Sequence, residues 1–93
     1  MLVIWKNEAE LLRESIKNRF NENYKHLGLN LICETENEML IGIHITLVES
    51  KLNLRKEDFV SVAGLNSIGD YQDYILIRIK DLFNEMFKNY YTI

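Results

Sequence analysis

The hydrophobic spacing changes twice along this chain, and that change bounds the fold more tightly than any other property. Apolar residues recur every three or four positions from Trp5 to Leu27, every second position from Leu29 to Val48, and every three or four again from Asp70. A helix repeats its face every 3.6 residues and a strand every two, so a segment patterned for one cannot present a continuous face as the other. The chain therefore reads as one small α+β domain spanning residues 1–93. Its order is helix, two or three strands, helix, with an antiparallel sheet of two or three strands flanked by two long helices.

In the first segment Trp5, Ala9, Leu12, Ile16, Phe20, Tyr24 and Leu27 form a narrow stripe suited to a single partner surface. Asn7 followed by Glu10 reads as a capping box at its start, and Gly28 as the C-cap at its end. Leu2 to Trp5 extends this helix or forms a short edge strand. The middle segment predicts a hairpin that turns at Thr35-Glu36-Asn37-Glu38, with Asn37 suited to positive φ. Ile41, Ile43 and Ile45 head its core face. A third strand near 58–63, or a short helix over 54–60, follows before a glycine-containing loop.

The last segment, Asp70 to Tyr91, is capped by Asp70 and has an apolar arc of roughly 160° at 3.6 residues per turn, wider than a helix on a small core needs. Tyr71, Ile75, Leu82 and Met86 suit the fold. The excess lies in Leu76, Phe83, Phe87 and Tyr91, which predicts a self-associating surface and a symmetric homodimer.

Composition excludes several classes. The apolar fraction of 47% is too high for a disordered chain, and no apolar run approaches the ~20 residues of a membrane span. The start lacks signal-peptide features and a single cysteine, Cys33, fits a reducing compartment, so a cytoplasmic location is expected. A net charge of −3 without a basic cluster disfavours nucleic acid, which is held by Lys and Arg. His26, Cys33 and His44 lack the close-paired spacing of a zinc site, and no cofactor is expected. A Cys33–His44 pair across the hairpin lacks an orienting third group.

Three acids, Glu34, Glu36 and Glu38, cluster at the hairpin tip, where they discourage edge pairing or engage a basic surface on a partner protein. Glu49-Ser50-Lys51 at the end of an apolar strand resembles the core of the PD-(D/E)xK nucleases. The resemblance implies a metal ion held by Glu49 with Glu34 or Glu36 and with Glu10 or Glu14, and an attacking water positioned by Lys51. Glu replaces the usual upstream Asp, and no Pro-Asp pair is present. The element order also resembles the double-stranded-RNA-binding domain, but that family needs a basic start to its last helix, where this chain has Gly69-Asp70-Tyr71-Gln72-Asp73.

The reading that follows is a small non-enzymatic interaction protein that binds or inhibits another protein, a phage-encoded antagonist being one instance. The alternatives are a metal-dependent nuclease using Glu36, Glu49 and Lys51, and a structural or adaptor subunit of a larger assembly.

Overall fold

The computed structural model describes residues 2–23 and 27–91, with the side chains at 21–23 and 89–91 excepted. Its elements are α1 (Lys6–Asn23), β1 (Gly28–Glu36), β2 (Met39–Glu49), β3 (Leu54–Ser61) and α2 (Ile68–Tyr91). The strands form one antiparallel sheet in the order β1-β2-β3. This is the α+β architecture that the change of period predicts.

Both helices lie on one face of the sheet. α1 packs over β1, and α2 packs over β3 and β2 while touching α1. Ala9, Leu12, Ile16 and Phe20 of α1 meet Leu29 and Leu31 of β1, Ile43, Ile45 and Leu47 of β2, and Tyr71, Ile75, Ile79, Leu82 and Met86 of α2 in a single core. The Tyr71 hydroxyl, fully buried, donates to the Val60 carbonyl at 2.6 Å, so this polar atom that α2 carries deep into the core is satisfied there.

The hairpin turns at Asn37 and Glu38, both at positive φ (53° and 65°) between the paired residues Glu36 and Met39. Positive φ at both central residues is the type I′ geometry that matches the twist of two-residue hairpins. A β-bulge follows at once. Thr35 pairs with Leu40 and Glu34 with Gly42, leaving Ile41 as the extra residue of β2. The bulge reverses the alternation, so Leu40 rather than Ile41 is buried, while Ile43, Ile45 and Leu47 keep the predicted face.

The chain before α1 is extended. Leu40 N–H donates to the Ile4 carbonyl (2.8 Å) and Lys6 N–H to the Glu38 carbonyl (2.9 Å), bridging Trp5 to Met39 beside β2 where β3 has ended. Ile4 therefore fills the core, and Trp5 leaves the helical stripe to which its spacing assigned it. The Trp5 carbonyl accepts from Ala9 N–H (2.9 Å), so α1 begins one residue before the expected Asn7 cap. Gly28 opens β1 opposite Val48 instead of capping a helix. Tyr24 and His26 lie outside the described residues.

At the second helix Ser67, not Asp70, is the cap. Its hydroxyl accepts from Asp70 N–H (3.0 Å) and its carbonyl from Tyr71 N–H (3.1 Å), while Asp70 lies in the first turn, where the helix dipole favours an acid. β3 runs earlier than expected, over 54–61. Its helix-side positions Lys56 and Asp58 are charged, so it carries little period-two hydrophobic signal. Arg78 of α2 covers Asp58, bonding its carboxylate at 2.6 and 2.8 Å.

Candidate interaction surface

With both helices on one face, the other face of the sheet carries no layer from this chain among the described residues. Strand register lays out its rows. Ile32, His44 and Phe59 cross the three strands side by side, with Asn30, Thr46 and Glu57 next on one side and Glu34, Gly42 and Ser61 on the other. Beyond the bulge, the pairings place Glu36, Met39 and Trp5 on this same face.

Four large apolar side chains are exposed along it. Trp5 is 52% exposed, Ile32 55%, Phe59 38% and Val3 41%. The His44 and Phe59 rings contact each other with centroids 4.5 Å apart, and His44 Nε2 lies 3.5 Å from Glu34 Oε1. Gly42 is there because the neighbouring row leaves no room for a side chain: a Cβ would come within 2.6 Å of the Val60 carbonyl oxygen and would overlap the Phe59 ring. Phe59 thus lies flat over Gly42, which places an aromatic surface at the centre of the open face.

The tip acids border this surface. Glu34 and Glu36 project from the open face, separated by about 7 Å at ~3.3 Å per residue, and Glu38 follows in the turn. All three are exposed. Glu38 holds φ 65° at the position where type I′ turns favour glycine, a backbone cost that Gly would relieve. At the far end of the face Arg55 is bonded to Glu57 (2.7 Å from Nε), so the open face carries no uncompensated cation among these residues.

The nuclease residues are not assembled. Glu36 pairs with Met39 at one end of β2 and Glu49 pairs with Leu54 at the other, which separates them by ten strand positions, ~33 Å. The Glu49 carboxylate accepts the N–H groups of Leu52 (2.7 Å) and Lys51 (3.3 Å), so it closes the β2–β3 turn. Glu10 and Glu14 both bind Arg13 (3.0 and 2.8 Å). Among the described residues no group of His, Cys, Asp and Glu is placed to hold a metal ion. Cys33 and His44 project from opposite faces of the sheet. The Cys33 thiol lies beside the Ala9 carbonyl (3.8 Å), and burial pushes its pKa up, away from thiolate reactivity.

The structure places the expected flank of α2 beside the core. Leu76, Phe83 and Phe87 are half-buried against the core, with the Phe83 and Phe87 rings 4.9 Å apart. Tyr91's side chain lies outside the described residues. Contact with β2, β3 and α1 together uses a wider arc than one packing partner would. Among its described side chains, the large apolar residues that α2 exposes are Ile68 in its first turn, Tyr74 and Ile77. Helical spacing conceals Trp5 in the sequence, and Phe59 belongs to a short apolar run whose spacing does not show which face is covered.

No protein-family model matches the chain, and no curated protein or solved structure is significantly similar to it. No helix among the described residues is long and apolar enough to cross a membrane.

Proposed function

We propose that this chain is a small non-enzymatic interaction module that binds another protein through the open face of its sheet, against a contact surface that is apolar at its centre and basic at one border. The observation that carries this reading is the exposed group Trp5, Ile32 and Phe59 on an uncovered sheet face that ends in Glu34, Glu36 and Glu38. Tryptophan and other aromatic residues anchor protein interfaces far beyond their frequency, and a desolvated centre with a charged border is the usual anatomy of such a patch. The acids steer a basic partner into place, and the aromatic centre holds it. A partner surface of that charge is of the kind that holds nucleic acid, so occupation by this chain would make it an antagonist, a phage-encoded one being an instance. A cytoplasmic setting belongs to the same reading.

The test is affinity capture from lysate followed by binding measurements on the recovered protein. Trp5→Ala should weaken the complex by roughly 30-fold or more, the factor expected for a hot-spot residue. The triple change Glu34→Lys, Glu36→Lys, Glu38→Lys should slow association and flatten its dependence on salt. A stoichiometric partner that binds both variants as tightly as the wild type overturns the reading, as does recovery of no partner.

A further inference from the structure

The free edge of β3 forms a second surface, independent of the open-face reading. Val62 N–H donates to the Ile41 carbonyl (3.0 Å), so even-numbered residues of β3 turn their backbone groups toward β2. Arg55, Glu57, Phe59 and Ser61 turn theirs outward. Beside this edge runs a groove of about 420 Å³ between β3 and α2, lined by Phe59, Ala63, Leu65, Tyr74 and Arg78 among others. Tyr74 is 45% exposed at the groove, and Ile77, nearly one turn further along α2, is 56% exposed.

Four consecutive charges, Arg55-Lys56-Glu57-Asp58, run along the edge. Charges on an edge strand normally repel foreign strands. Two positives followed by two negatives behave differently toward their own image, because antiparallel pairing reverses the order. Alternation of backbone groups permits only registers that pair odd with odd and even with even positions. One such register has Glu57 on the two-fold axis. It sets Lys56 opposite Asp58 of the second copy, Arg55 opposite Phe59, and Leu54 opposite Val60, each contact made twice by symmetry. The like pair at the axis, Glu57 with Glu57, is flanked by both Arg55 guanidiniums, each already bonded to its own Glu57. A shift of two residues in total register that puts Lys56 on the axis makes two Arg55–Glu57 pairs instead, but it sets Asp58 against Leu54. It also pairs only positions 54–58 of β3, whereas the axis at Glu57 pairs 54–60 and keeps Leu54 on Val60. The opposite shift sets Asp58 on Asp58 with Glu57 facing Phe59 and makes no opposite-charge pair. Charge thus favours a second copy as the occupant, and the longer ladder with its apolar Leu54–Val60 pairs favours the axis at Glu57.

We infer that β3 pairs antiparallel with β3 of a second copy about an axis at Glu57, doubling the three-stranded sheet and bringing the exposed Tyr74 and Ile77 flanks of the two α2 helices together. On pairing, Phe59 N–H, now held by the Asp58 carboxylate (2.8 Å), passes to the Arg55 carbonyl of the second copy, and Asp58 keeps Arg78 while gaining Lys56 of that copy.

Sedimentation of the wild type across concentrations up to ~100 μM tests this, because a dimer dissociates on dilution. A reversible dimer is expected. Lys56→Glu, which sets two acids opposite each other at two places, should weaken it by roughly tenfold or more. Glu57→Pro removes an N–H that points away from β2, so it should abolish the dimer while the circular dichroism spectrum and melting stay near wild type. In a Cys33→Ser background, Glu57→Cys should form a disulfide across the axis, where paired Cα atoms lie ~5.5 Å apart. A wild-type monomer throughout this range overturns the inference. So does a dimer that Lys56→Glu and Glu57→Pro leave intact, or one split by Phe83→Asp without any Glu57→Cys cross-link. Protection of the β3 edge only on addition of a different polypeptide also overturns it.

Discussion

Replacing Gly42 by alanine should be among the most damaging single-methyl changes available to this protein. A Cβ at that position meets two atoms of the Phe59 ring and the Val60 carbonyl oxygen, the last at 2.6 Å. The ring can swing outward into solvent on the open face. The carbonyl cannot, because it belongs to the β2–β3 ladder and also accepts the buried Tyr71 hydroxyl at 2.6 Å. Forcing a methyl into a filled site costs about 1–3 kcal/mol. Loosening the Tyr71 bond adds about 0.5–1.5 kcal/mol. The expected loss is therefore about 2–4 kcal/mol, against the ~5–15 kcal/mol that holds a domain of this kind together. At about 4–8 °C per kcal/mol for this chain length, the melting midpoint should fall by roughly 8–32 °C. Urea denaturation followed by circular dichroism measures the loss, and a double-mutant cycle with Phe59→Ala apportions it. With the ring removed, Gly42→Ala should still cost about 1.5–3 kcal/mol from the carbonyl clash, so the two changes should couple by no more than about 1 kcal/mol. A loss below ~0.5 kcal/mol, or full relief by Phe59→Ala, would refute the claim that the backbone of β3 leaves Gly42 no room.

The bulge predicts an order of damage that simple alternation reverses: Leu40→Ala should cost about 2–4 kcal/mol as a buried truncation, and Ile41→Ala clearly less, by chemical denaturation. Tyr71→Phe should cost about 1–2 kcal/mol at neutral pH and also change the alkaline limb of stability. Burial raises the Tyr71 phenol above its ordinary value of about 10, so the unfolded chain loses this proton first as pH rises. Its contribution is complete below about pH 10 and is lost as pH climbs toward the folded value, so the wild type should lose its advantage over Tyr71→Phe only in that alkaline range.

Much of the fold was legible because the signals were local. The paired spacings of α2 marked Tyr71, Ile75, Leu82 and Met86 as core, and all four are buried. Asn37 announced the hairpin turn through its tolerance of positive φ. The acids of the tip were readable as a cluster because a turn keeps neighbours in sequence close in space. The candidate site was less legible. Ile32 lies on the open face of β1, and its isolated position between Leu31 and Cys33 says nothing about whether that face is covered.

The amino-acid sequence by itself determined the two helices and the hairpin between them, since hydrophobic period, turn residues and charge act over a few neighbouring positions. Only the tertiary structure decided which apolar side chains remain for other molecules. That depends on long-range backbone bonds. The Ile4–Leu40 and Lys6–Glu38 bonds draw Trp5 out of the helix, the bulge at Ile41 exchanges one core residue for another, and three packing partners cover much of the wide face of α2. Both helices settling on one side of the sheet is the same kind of event, and it leaves Trp5, Ile32 and Phe59 exposed on the other.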